Sequence, residues 1–176
     1  MQRFQEQDQV FGFPDDWDVI HYDNEGYRKQ HVADLHAVDF VARQPHGPLL
    51  FLEIKDYRGH EVQNRDKLRS GKLSQSLRQK VLWTYAGLIA GSRHDAGPFR
   101  RFAQDLATCP ELKVVALVDL REPHLGVPLE QILSTHHLKV ALRGVGVRPF
   151  VCTPQTLHER FGIECQNLAR PALAGP

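Results

Sequence analysis

Asp39 and the tripeptide Glu53-Ile54-Lys55 are the residues of this chain best suited to chemistry. Each charge lies in an apolar, strand-like run, AVDFVAR and LLFLEIKDYRG, where an isolated charge is costly. Side chains alternate along a strand, so Glu53 and Lys55 share a face while Ile54 points the other way. With Gln44 to Pro48 as a hairpin loop centred on His46, Arg43 falls opposite Leu49, Val41 opposite Phe51, and Asp39 opposite Glu53. Cβ atoms paired in this way lie roughly 4.5–5.5 Å apart. Two carboxylates about 4 Å apart repel by about 4 kcal/mol at an effective dielectric of about 20. A divalent cation between them reverses the sign of that interaction, and Lys55 beside it could orient a water or balance charge. A slip of one residue in the register would send Asp39 to the opposite face. The same residues also allow a structural reading, with Asp39 paired to Lys55 or Arg43 and Glu53 serving as an edge-strand charge.

The elements that must position these groups follow from periodicity and turn chemistry. Gln2 to Val10 is expected as a short helix and DWDVIHY (Asp16 to Tyr22) as a strand, before the turn Asp23-Asn24-Glu25-Gly26. The hairpin comes next. After the break at Ser70-Gly71, SQSLRQKVLWTYAGLIA repeats apolar residues at Leu77, Val81, Tyr85 and Leu88, which is helical spacing, with Gly91 as the stop. On that helix Gln79 points away from the apolar stripe and Lys80 flanks it. Trp83, beside Gln79, Ala86 and Ala90, could pack on a second helix, line a dimer interface or stack on a base. Gly97 to Ala107 reads as a shorter helix. LKVVALVDL (Leu112 to Leu120) reads as a strand buried on both faces, at the centre of the sheet. Pro128 to Leu142 is expected as a helix and Gly146 to Cys152 as a strand. Pro154 to Phe161 closes the fold as a helix, with Thr153 as N-cap and Pro154 at its first position. This order predicts a single α/β domain over residues 1–168, three layers α/β/α around a mixed central sheet, and a loose tail over 169–176.

Composition bounds the possibilities. At 176 residues the chain is long enough for one core that buries roughly 70% of the unfolded surface. No apolar run approaches the roughly 20 residues that span a bilayer, and the Gln-rich amino terminus lacks the hydrophobic stretch of a signal peptide, so the cytoplasm is the expected compartment. Cys109, Cys152 and Cys165 are well separated and free of CxxC spacing, which predicts reduced thiols. His136-His137 is adjacent rather than one helical turn apart, and no glycine-rich phosphate loop, GxSxG elbow or HExxH sequence is present. A net charge of +1 argues against wholesale coating of nucleic acid. Between Asp56 and Lys80, however, seven basic residues face three acidic ones. That segment reads either as a solvated loop or as a phosphate-contacting surface.

Asp39 at a strand end, Glu53-Ile54-Lys55 on the hairpin partner, and a long helix followed by an apolar strand resemble the PD-(D/E)xK nuclease superfamily. The resemblance to this restriction-endonuclease-like fold covers roughly residues 35 to 120, with Val38 where the fuller pattern has proline. It implies a hydrolase, an endonuclease cutting phosphodiester bonds in DNA with Mg2+, for which Mn2+ substitutes. Asp39, Glu53 and the backbone carbonyl of Ile54 would be the metal ligands, and Lys55 would be catalytic. It further implies an acid from the first helix, a role for Glu6, and a Gln or Lys from the helix after the motif, where Gln79 and Lys80 stand. Gln79 is the additional catalytic candidate. Arg58, Arg65, Lys67, Arg69, Lys72 and Lys80 are the candidates for contacting DNA, duplex favoured. Two-strand cutting implies a homodimer or a partner protein, and the superfamily's stand-alone members suggest host defence or DNA repair. Two other readings stay open: a catalytically inactive nucleic-acid-binding or scaffold subunit of the same fold, and a nuclease of structured RNA.

Overall fold

Two apolar segments, LLFLEIKD and LKVVALVD, set the frame, because runs without a polar face must be covered on both sides. In the computed structural model, which describes residues 1–24, 36–58, 72–93, 97–119, 142 and 147–168, they form β5 (Leu49–Asp56) and β6 (Leu112–Asp119). These strands pair in parallel from Leu49 opposite Leu112 to Asp56 opposite Asp119. β4 (Phe40–Arg43) and β3 (Asp18–His21) add antiparallel on one side, and β7 (Val147–Cys152) adds parallel on the other. The result is a five-stranded mixed sheet in the order β3-β4-β5-β6-β7. β5 is the middle strand, and β6, expected there, lies one place off centre. The hairpin register agrees with the sequence reading, with Arg43 opposite Leu49 and Val41 opposite Phe51. His46 takes the left-handed backbone of the loop, at φ 54°.

Alternation sorts the side chains into two cores. Val41, Phe51 and Val114 pack with Leu77, Val81 and Leu88 of α1 (Lys72–Arg93) and with Phe99 and Phe102 of α2 (Pro98–Thr108). Phe40, Leu52, Ile54 and Val115 pack on the opposite face with Phe11, Phe13 and Leu157. That second face is covered by a small antiparallel sheet and one helix. The sheet contains β1 (Gln2–Glu6), β2 (Gln9–Phe13) and β8 (Glu164–Asn167), in the order β1-β2-β8. The helix is α3 (Pro154–Phe161). The protein is therefore α/β with a mixed central sheet, as expected, but among the described residues the second outer layer is a sheet plus a helix rather than helices alone.

Two local expectations are corrected. Gln2 to Val10 is not a helix but the hairpin β1–β2, turning at Gln7 with φ 51°. Its residues alternate in burial, and Phe4 packs edge-on against Phe13 and Phe40 with ring centroids 5.8 and 5.7 Å apart. That packing outweighs the helix preference of Gln, Arg and Glu. Gly91 does not end α1, which runs on to Arg93. The cap of α3 follows its sequence: Thr153 Oγ1 accepts from the Thr156 amide at 3.2 Å, and Thr156 Oγ1 accepts from the Thr153 amide at 2.8 Å. The predicted turn begins as a 3-10 turn over Tyr22–Asn24, and its remainder lies outside the described residues. So do the predicted tail and, apart from the buried Leu142, the predicted helix from Pro128. Among the described residues no helix is long and apolar enough to cross a membrane.

Candidate active site

The ladder between β4 and β5 ends with Phe40 opposite Leu52. At the next position the Asp39 side chain takes over from the backbone, its Oδ2 accepting the Ile54 amide at 2.6 Å. This contact holds Asp39 on the α1 face of the sheet, next to Glu53, as the register predicts. Both acids are buried, Glu53 with 1% and Asp39 with 6% of its surface exposed. Carboxylates so far from water need cations or protons.

Two lysines supply the cations. Lys55 Nζ lies 2.6 Å from Glu53 Oε1. Lys80 Nζ reaches over from α1 to within 2.7 Å of Glu53 Oε1 and 2.9 Å of Oε2, and 4.0 Å of Asp39 Oδ1. Thr84 ties the helix turn that carries Lys80 to the segment leading into β4. Its Oγ1 donates to the Lys80 carbonyl at 2.8 Å and accepts the Val38 amide, next to Asp39, at 3.0 Å.

Burial and the neighbouring Glu53 charge push the Asp39 carboxyl up to about 8, against the opposing pull of Lys80, the Ile54 amide and Lys55. Burial acts to lower Lys55, but Glu53 and Asp39 outweigh it and leave the ammonium above its ordinary range. Lys55 therefore remains a cation. Burial and Glu53 together push Tyr57 up to about 12, so its phenol keeps its proton.

Among the described residues no group of three or more His, Cys, Asp or Glu side chains could hold a metal ion. The Asp39–Glu53 pair still fits Mg2+, which takes one or two carboxylates and completes its shell with water and phosphate oxygens. The Lys80 ammonium lies against Glu53 and approaches Asp39 to 4.0 Å. Ile54 sends its side chain into the opposite core and its amide to Asp39.

The remaining candidates separate. Glu6 lies at the end of β1 rather than on a helix, and its Oε2 is 2.7 Å from His21 Nε2. That hydrogen bond holds its carboxyl below the usual range despite burial, and Lys80 adds only a weaker pull. Gln79 and Lys72 are exposed on α1, and Trp83 is 38% exposed. Arg58, expected on the basic surface, is buried at 8% exposure. Its Nε and Nη2 donate to Asp56 at 2.8 and 2.7 Å, and Nε lies 3.3 Å from Asp119. Asp56 and Asp119 are opposite each other in the ladder and require that cation. Arg65, Lys67 and Arg69 lie outside the described residues. Lys80, which sequence reasoning put on the flank of a helix, is the residue that touches Glu53 and approaches Asp39. Thr84 carried no sequence signal, since a helical threonine is commonplace. Compared with known proteins, the chain matches no family model, no curated protein and no solved structure.

Proposed function

We propose that this chain is a divalent-metal-dependent nuclease with a restriction-endonuclease-like fold of the PD-(D/E)xK type, hydrolysing phosphodiester bonds in DNA, with duplex DNA as substrate. One observation carries the reading: Asp39, at the entry to β4, and Glu53 and Lys55, on β5, meet on one face at one end of the central sheet. Asp39, Glu53 and the carbonyl of Ile54 would hold the ion. When bound, Mg2+ supplies charge neutralisation at the phosphate and lowers the pKa of water. Lys55, retaining its proton, acts as a donor and a counter-charge rather than as a base. It can orient the attacking water and offset charge gathering on the phosphate. Of the basic candidates among the described residues, Lys72 is the one left exposed to meet a phosphate.

The test is supercoiled plasmid incubated with the protein and Mg2+, beside a Lys55→Ala variant, an EDTA control and a structured RNA substrate. Nicking or linearisation of the plasmid is expected, and each control should slow it by at least about 100-fold. Cleavage that survives both controls refutes the assignment. Binding to DNA should also weaken with salt, by a log–log slope of about −0.9 per phosphate neutralised. One observation favours a second reading, a catalytically inactive nucleic-acid-binding or scaffold subunit: each Glu53 oxygen already has an ammonium against it. Retention of DNA without cleavage in Mg2+ or Mn2+ would select that reading.

A further inference from the structure

We propose that Lys80 is the resident counter-cation of the Asp39–Glu53 pair, and that a divalent ion binds there by displacing its ammonium, so that Lys80 sets the affinity of the site. This rests on the reading that the two acids take a divalent ion. The charges carry the argument. The acids already hold two ammoniums, and a divalent ion added beside both would face two like charges at close range. One ammonium must withdraw, and geometry selects which. Lys80 Nζ lies 2.7 and 2.9 Å from the two Glu53 oxygens and 4.0 Å from Asp39 Oδ1, in the space that an ion shared by both acids would take. Of the two acids, Lys55 is in contact with Glu53, from the same strand face. Lys80 also has a route out. Its four-carbon stem leaves α1 at a half-buried position; at 15% exposure against 27% for Lys55, it is the place of its ammonium beside both acids, not exposure, that selects it. Thr84 anchors the carbonyl of Lys80, not its ammonium, so the side chain can swing to solvent while the helix stays in place.

The test uses Mn2+ alone as the probe and the full-length chain. Calorimetric titration of wild type, Lys80→Met and Lys80→Gln should give dissociation constants tightened by about tenfold or more in the neutral variants, the size of effect that one nearby unit charge exerts on an ionic equilibrium. Their metal-free melting temperatures should be lower than wild type, and saturating Mn2+ should raise them by more than it raises the wild type. A second arm needs no variant. Pulse acetylation of the wild-type lysines, read by mass spectrometry, should label Lys80 faster when Mn2+ is bound, relative to the exposed Lys72 as internal reference. Wild-type affinity in both variants, or unchanged Lys80 labelling once the titration shows Mn2+ bound, overturns the displacement and leaves a metal-dependent nuclease standing. Absence of Mn2+ binding in wild type and variants alike overturns both.

Discussion

Asp39 concentrates the electrostatic tension of the site in one group. Its carboxyl is buried and its neighbour is a buried acid, so in the fold, despite the Ile54 amide held against Oδ2, it keeps its proton up to about 8. In the unfolded chain the same carboxyl ionises near 3.9. Between those values the folded state binds one more proton than the unfolded state. The contribution of this group to stability is therefore full below about pH 4 and is lost as the pH rises towards about 8. Each pH unit crossed corresponds to at most about 1.4 kcal/mol. Metal-free wild type should accordingly lose a few kcal/mol relative to Asp39→Asn between these limits, as measured by urea unfolding at a series of pH values. Parallel curves for the two proteins would mean that Asp39 ionises in the fold as freely as in water. The pairing of Asp39 with Glu53 was legible in the sequence because period two and a five-residue loop leave little freedom of register. The reach of Lys80 was not. A helical wheel gives directions around the α1 axis but says nothing of how close that axis comes to β5.

Among the elements, α1 depends most on close approach. Gly91 lies in its last turns, and a Cβ there would stand 2.8 Å from the Cβ of Phe99 on α2. At Gly87 a Cβ would stand 2.3 Å from the Tyr22 hydroxyl. Gly91→Ala gains about 1 kcal/mol of helix propensity, yet overpacking a filled core costs typically 1–3 kcal/mol. The backbone of one helix and the Cβ of the other must part for the methyl to fit. Net destabilisation is expected in thermal unfolding, with a lower melting temperature than wild type; a rise would show that α2 shifts without loss. Glycine is a poor helix former, so the sequence alone points to a stop at Gly91, and only the packed partner reveals its use. Where the signal is local, it was legible, as in the Thr153–Pro154 start of α3. Where local and tertiary preferences compete it failed. The segment QRFQE is rich in helix formers, yet forms β1 because Phe4 meets Phe13 and Phe40 across the layers.

The molecule as a whole is joined at the carboxyl ends of β5 and β6 by a buried polar network that crosses its layers. Gln9 of β2 donates to Asp119 Oδ2 at 2.7 Å and to Asn167 Oδ1 of β8 at 3.0 Å. Asp119 faces Asp56 across the parallel ladder, and Arg58 binds both acids. Burial leaves Asp119 above the usual carboxylate range, although Arg58 pulls it down, so removing that cation would expose two desolvated acids to each other. A count of charges cannot distinguish such a residue from a solvated one, so charge alone places Arg58 with the basic run that follows it. The two roles predict opposite outcomes for Arg58→Met, which keeps the apolar stem and deletes the charge. As an internal tie, Arg58 should cost about 3–5 kcal/mol when removed, the range for breaking a buried ion pair, with the midpoint of urea unfolding falling accordingly. At temperatures where the variant is folded, its salt dependence of DNA binding should match that of wild type. A variant of unchanged stability whose log–log slope is shallower by about 0.9 would instead return Arg58 to a phosphate-contacting surface.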